Sequence, residues 1–259
     1  MKRKRIKSYL EKRMRSIEKY AMVILSCDDM EAIHQLRVGF KKLRAFLRLA
    51  SLEPSAEKQQ VPSKLKKIYK YAGAVRDLQI YYHNVVPFYH KADNYPQQVL
   101  QQIAVAKYIL VKALKSFPFR RTTKQLKRKA PDRVSKKTMD RFIQKKSKAI
   151  DRSIGTNIRD VHLHVLKKYL KDVFYSLKAF QAPVQSYFPI AGKGNMSELS
   201  KLSDVLNEYL DWVVGLSFLK TALSGKLSLH DRVILQGIKK NWTSKKGQVR
   251  RRAMTMLRS

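Results

Sequence analysis

The chain of 259 residues contains 56 Lys and Arg residues against 19 Asp and Glu residues, which gives a formal net charge of +37. Its apolar content of 44% and aromatic content of 10% are typical of a globular protein and exclude a disordered one. A charge of this size opposes compaction unless a polyanion relieves it, so the composition favours nucleic acid, an anionic membrane surface or an inorganic polyanion as partner.

The single cysteine, Cys27, excludes a disulfide framework and a thiolate metal cluster, and it favours a reducing compartment. The basic N-terminus has no apolar segment behind it, and no stretch approaches the ~18 uninterrupted apolar residues of a membrane-spanning helix. We therefore expect a cytoplasmic protein that does not insert into a membrane.

An all-α fold is predicted, because Gly and Pro are scarce and the apolar residues recur at helical spacing. In chain order, the predicted helices cover residues 3–26, 29–52, 62–90, 95–117, 132–155, 158–181, 196–223 and 229–257. Four helix starts pair a capping residue with an acid three residues on: Asp28 with Glu31, Asn157 with Asp160, Asn195 with Glu198 and Ser228 with Asp231.

A connector is predicted between two sets of four helices. The basic stretch FPFRRTTKQLKRKAP has helix breakers at both ends, which is typical of an exposed linking segment. The predicted divisions are 1–119 for the first four-helix unit, 120–131 for the connector and 132–259 for the second four-helix unit.

The second predicted helix contains IHQLRVGFKKLRAFLRL, in which cations are threaded between apolar residues. At about 100° per residue, these side chains separate into two neighbouring stripes. The apolar stripe contains Leu36, Phe40, Leu43 and Leu47. The polar stripe contains His34, Arg37, Lys41, Arg44 and Arg48. Such a helix can pack on the first stripe and present a row of cations, about 20 Å long, beside that packing.

The same arrangement returns 130 residues later, in VHLHVLKKYLKDVFYSLK. The positions of His34, Arg37, Lys41 and Arg48 are taken by His164, Lys167, Lys171 and Lys178. Phe174 replaces Arg44, and Lys42 is matched with Lys168. A repeat over so many positions predicts that the chain is an internal duplication of a four-helix unit.

Both copies resemble a known family. HQLRVGFKKLR followed by GAVRD, with Gly73, Arg76 and Asp77, closely resembles the motifs of the CHAD domain, the conserved histidine α-helical domain. HVLKKYLKDVFY is similar to the second copy of the first motif, at His164, Lys167, Lys171 and Tyr175. It departs at Phe174, where the family usually has Arg, and Asn207 stands where Gly is usual.

The resemblance implies two four-helix bundles related by a pseudo-twofold axis, with the motif helices lining a basic central groove that binds inorganic polyphosphate. The implied groove residues are His34, Arg37, Lys41, Lys42, Arg44, Arg48 and Arg76 in the first half, and His164, Lys167, Lys168 and Lys171 in the second. The internal repeat adds Lys178.

Histidine side chains ordinarily titrate near neutrality, so a nearby phosphate chain would favour their charged form and binding would tighten as pH falls. The alternative is that His34 and His164 only bond the backbone or Asp77 and Asp211. We expect Asp77 and Asp211 to orient the cations and Tyr175 to be structural. Further basic residues are expected on solvated helix faces, with groove lining as the alternative: Arg15, Lys19, Lys137, Arg141, Lys145 and Lys148.

Catalysis is not predicted, because the sequence has no HExxH, no P-loop and no glycine-rich dinucleotide loop, and its acids are scattered. It also lacks the alternating ExExK strand of the triphosphate-processing domains that often accompany CHAD domains. The resemblance implies non-catalytic binding of inorganic polyphosphate, and we expect it in the cytoplasm, with association with polyphosphate granules as one role, and no cofactor or metal. The alternative is a basic helical protein that binds nucleic acid nonspecifically, weakly and at low salt. Binding to a membrane surface is the third functional alternative.

Overall fold

The computed structural model describes residues 1–27, 29–54, 57, 59–90, 93–154, 158–180, 187, 189–190 and 193–258. These residues form α-helices, one short 3-10 helix at Val86–Phe88, turns and two isolated β-bridges. The α-helices are α1 (Arg3–Ser26), α2 (Met30–Ala50), α3 (Ser63–Val85), α4 (Asn94–Lys115), α5 (Phe119–Arg128), α6 (Lys136–Ser153), α7 (Asp160–Phe180), α8 (Met196–Leu223) and α9 (Leu229–Arg258). The prediction of an all-α fold is confirmed.

Helix α5 lies where the sequence predicted a connector. Prolines flank this helix on both sides: Pro118 is its N-cap residue, and Pro131 follows shortly after the helix ends at Arg128. Thr122 and Leu126 are buried, and α5 packs against α1. The sequence did not predict a helix here, and residues 119–128 form one that is mostly exposed and held by these two buried side chains. That the segment connects two four-helix units stays a prediction.

Side-chain caps fix the starts of four helices, α2, α6, α8 and α9. Asn195 Oδ1 accepts from the backbone N–H groups of Ser197 and Glu198, and Ser228 Oγ accepts from that of Asp231, as predicted. Asp28 and Asn157 lie outside the described residues. Helix α2 is capped by Asp29, and α6 begins only at Lys136 because Ser135 caps it.

The core runs through both halves of the chain. The apolar stripe of α2 is buried, with Leu36, Phe40, Leu43 and Leu47 at most 2% exposed. Helix α2 packs against α1, α3 and α7, while α7 packs against α6 and α8, and α3 packs against α8. The duplication and its pseudo-twofold axis stay predictions, but α2 and α7, which carry the two histidine motifs, lie side by side.

Within the described parts of the chain, no helix combines the length and the apolar character needed to span a bilayer.

Candidate functional site

An open cleft of about 370 Å³ lies between α2 and α7. Helix α2 contributes Arg37, Lys41 and Arg44, and α3 contributes Tyr69. Helix α7 contributes His164, Lys167, Lys168, Lys171, Asp172 and Tyr175. Two rows of cations from opposite halves of the sequence therefore face one space.

Arg37 is held in place by α3. Its guanidinium lies 4.7 Å from the centre of the Tyr69 ring, and its Nη1 donates to the Tyr69 carbonyl at 3.2 Å. A Cβ atom at Gly73 would overlap Arg37 Nη1. Gly73 therefore leaves the space that the guanidinium fills, which is the physical reason for a glycine in GAVRD.

Arg44 rests on two stacked rings. The Phe40 and Tyr69 ring centres are 4.1 Å apart, and the Arg44 guanidinium lies 5.7 Å and 5.5 Å from them. Its buried Nε finds no hydrogen-bond partner among the residues that the structure describes. A buried donor without a partner is costly, so this N–H destabilises the free cleft.

Lys41 lies at the centre of the cations. Burial, together with the charges of Arg37, Lys167, Lys171 and Arg44, lowers the pKa of Lys41 to about 7. Burial also lowers the pKa values of Lys167 and Lys171, although Asp211 opposes the change at Lys167. The cleft thus disfavours the positive charge of its own lysines, and a bound anion would favour that charge again.

His34 and His164 lie close enough to these cations to be affected by their charges. Burial lowers the pKa of His34, as do the charges of Arg76, Lys41 and Arg37, while Glu31 raises it. Burial and the charges of Lys167 and Lys168 lower the pKa of His164. Neither imidazole is hydrogen-bonded to Asp77 or Asp211 in the described part of the chain, so the predicted alternative of His–Asp bonds is not what the geometry shows.

Asp77 on α3 and Asp211 on α8 lie outside the lining of the cleft, and both line a small pocket with Tyr81 and Trp242. The surrounding protein and the charge of Asp77 raise the pKa of Asp211, while Lys167 opposes that rise and the residue itself remains exposed. Burial raises the pKa of Asp77, while Arg37 and Lys167 oppose that rise. Both carboxylates therefore lie among the cations that they were predicted to orient.

Arg48 is directed to an acid that the sequence prediction did not include. Its Nη1 donates to the buried Asp172 Oδ2 at 2.7 Å, and Lys146 of α6 donates to the same oxygen at 3.1 Å. Asp172 lies 130 residues after Lys42, so the repeat places it, not Lys168, opposite Lys42. The sequence signal for this contact was an acidic residue, Asp172, within the second basic motif.

These features can be compared with known proteins. The family model of the CHAD domain matches residues 8–220. The chain belongs to the CHAD family. No curated protein matches the chain.

The CHAD fold is also the fold of solved structures that share little sequence with this chain. The CHAD domain from the plant Ricinus communis is 16% identical, with a TM-score of 0.76 over 99% of this chain and 91% of that one. PptA from Streptomyces chartreusis is 10% identical, with a TM-score of 0.73 over 100% of this chain and 99% of that one. At these identities the likeness shows the fold alone.

Several predicted residues do not line the cleft of this CHAD domain. His34 lies close enough to the cleft residues Lys41 and Arg37 for their charges to lower its pKa, and the charge of Arg76 has the same effect. Burial and the charges of Arg13 and Lys178 lower the pKa of Lys42, which lies outside the cleft. Arg48 and Lys178 also lie outside its lining. The further basic candidates are exposed on α1 and α6: Arg15, Lys19, Lys137, Arg141, Lys145 and Lys148. Their faces are solvated, whereas Lys146, which was not predicted, turns inward from α6 to Asp172.

Phe174 on α7 takes the place of Arg44 in the repeat but lies outside the lining of the CHAD cleft. Its ring lies 4.2 Å from Lys178 Nζ and 5.9 Å from Lys171 Nζ. Beside it, Tyr175 is buried, and burial followed by the nearby Tyr69 raises its pKa to about 12. The Phe174 ring thus supports two cations but offers no charge of its own.

Proposed function

We propose that this CHAD protein binds inorganic polyphosphate in the cleft between α2 and α7, without transforming it. The proposal rests on one observation: the cation rows of α2 and α7 face each other across an open space of about 370 Å³. The only acid lining that space, among the described residues, is Asp172, which is already paired with Arg48 and Lys146.

A flexible string of phosphates suits such a cleft. It presents anionic oxygens at regular intervals, so donors in a row on rigid helices bind it with little further ordering. Arg37 and Arg44 are preorganised by Tyr69, and their planar forks match phosphate oxygens. Lys41, Lys167 and Lys171 add point charges from both walls.

The cleft is less suited to nucleic acid. Base recognition without sequence preference uses exposed aromatic rings as stacking surfaces. The two aromatic residues that line this cleft are Tyr69 and Tyr175. Tyr69 is covered by Phe40 and the two arginines, and Tyr175 is buried.

A competition experiment tests the assignment. Labelled long-chain polyphosphate is bound to the protein at physiological salt, and double-stranded DNA is added at equal phosphate concentration. We expect little displacement, since nonspecific binding of DNA depends on counterion release and weakens steeply with salt. Displacement of the polyphosphate by the DNA would favour the nucleic-acid alternative instead.

Polyphosphate affinity is expected to fall as pH rises above 7. In the free protein the pKa of Lys41 is about 7, and a bound polyanion raises it, so Lys41 takes up a proton on binding. Affinity is greatest below the free pKa, where Lys41 is charged in both states, and falls up to about tenfold per pH unit between the free and bound pKa values. Titration calorimetry in buffers of different ionisation enthalpy measures the proton uptake.

Lys41→Arg provides the matched variant for this pH dependence. Arginine stays charged, so the variant should decline less steeply above pH 7 than wild type while keeping the positive charge. The other groups around Lys41 are Arg37, Arg44, Lys167 and Lys171, and the charge of Lys41 also acts on Asp77 and Asp211. His34→Gln should leave the decline intact, because His34 does not line the cleft. Equal slopes for wild type and Lys41→Arg would contradict the prediction.

A further inference from the structure

A second cleft, of about 460 Å³, opens beside the first. Arg44 lines both clefts. Beyond Arg44, the α2 side of the second cleft includes Arg48, and its opposite side includes Gln60 and Lys66. The wall facing α2 therefore changes from α7 to residues 59–61 and the first turns of α3.

The α2 cations form one row along both clefts. From Arg37 through Lys41 and Arg44 to Arg48, the row extends about 16 Å at the helical rise per residue. Arg48 links the two spaces a second time, since it lines the second cleft and its Nη1 bonds Asp172 of the first. An extended anion following α2 would thus pass from one cleft to the other without leaving the row.

The second cleft offers donors that the structure does not use. Lys66 Nζ donates to Gln60 Oε1 at 3.2 Å, which leaves the Gln60 amide N–H groups for another acceptor. Arg48 commits Nη1 to Asp172, while about a third of its side chain remains exposed, at 35%.

The opposite wall is anchored to the fold. Gln59 is buried, and its Nε2 donates to the Leu126 carbonyl of α5 at 3.1 Å. Ser51 Oγ donates to the Gln59 carbonyl at 2.9 Å. The segment that presents Gln60 is therefore held against both α2 and α5, and donors on a held segment bind with less ordering.

We propose that this second cleft is a further binding segment for the phosphate chain, joined to the first through Arg44 and using Lys66 and Gln60 as its distal donors. The inference rests on the proposed function. It makes affinity depend on chain length, because only a polyphosphate long enough to pass Arg44 reaches Lys66.

Charge reversal at two neighbouring lysines tests the inference. Lys66 lines the cleft, whereas Lys67 is also exposed but lies outside its lining. Binding of long-chain polyphosphate and of tripolyphosphate is measured for Lys66→Glu and Lys67→Glu by titration calorimetry, with circular dichroism to check folding. Lys66→Glu should weaken the long chain about 10-fold more than Lys67→Glu does, and the two variants should bind tripolyphosphate alike.

Two results would overturn the second segment. One is that Lys66→Glu and Lys67→Glu weaken the long chain equally, which would make Lys66 part of the general positive field. The other is that Lys66→Glu weakens tripolyphosphate as strongly as the long chain. The proposed function fails separately, if substitutions of Arg37, Lys41 and Arg44 leave the binding of both probes unchanged.

Discussion

Replacing Arg37, Lys41 and Arg44 together with Gln is expected to weaken polyphosphate binding by about 100-fold or more. Each of the three cations lines the cleft on α2. A hydrogen bond to a charged group contributes ~1.5–3 kcal/mol, so loss of three contributes several kcal/mol even when the effects are not additive. Fluorescence anisotropy with labelled long-chain polyphosphate at physiological salt measures the change.

The matched control for this variant lies on α6. Lys137, Arg141 and Lys145 are exposed cations outside the cleft, so replacing them with Gln removes the same charge from a solvated face. Its expected loss is below about 10-fold, from the weaker general field. The C-terminal cations are a poorer control, since Lys246 and Arg252 form ion pairs with Asp160 and Glu208. Equal losses in the α2 and α6 variants would mean that the cations form no defined site.

Asp172→Asn is expected to lower stability and to raise polyphosphate affinity. The carboxylate is 3% exposed and pairs with Arg48 and Lys146. Breaking a buried pair costs ~3–5 kcal/mol, and we expect about 2–3 kcal/mol here because Arg48 can turn to solvent. The same change removes the acid that lines the cleft and releases Arg48, so affinity should rise about 3-fold or more. Urea unfolding and anisotropy titration measure the two effects.

Because stability is expected to fall while polyphosphate affinity rises, the result can be told apart from simple damage to the fold. Asp132→Asn is the control, because its pair with Arg3 is exposed, with side-chain exposures of 80% and 46%. Such a surface pair contributes at most about 1 kcal/mol, and it lies outside the lining of both clefts. A loss of both stability and affinity in Asp172→Asn would show that Asp172 supports the cation rows and does not compete with the ligand.

Local periodicity explains what could be predicted about the fold. Each of the eight helices expected from apolar spacing has its counterpart in the structure, with boundaries that differ by a few residues. Helix α5 was missed because only Thr122 and Leu126 anchor it, and a basic stretch between prolines gives little periodic signal. Tertiary packing against α1 stabilises that helix where its sequence alone does not.

The candidate site was predictable in part for the same reason. The wheel position of Arg37, Lys41 and Arg44 is a property of α2 alone, and all three line the cleft. Arg48 lies on the same stripe, yet its guanidinium bonds Asp172, and Lys42 lies among Arg13 and Lys178. The long side chains of these residues reach whichever neighbour the adjacent helices supply.

An all-α protein with two histidine motifs, each a row of cations beside an apolar stripe, follows from the amino-acid sequence alone. Helical rise and rotation are local, so these rows need no partner to be recognised. Tertiary packing was needed to establish that α2 and α7 face each other, that Gly73 makes room for Arg37, and that Asp172 binds Arg48. The axial offset between packed helices depends on side chains distant in sequence, which no single helical pattern specifies.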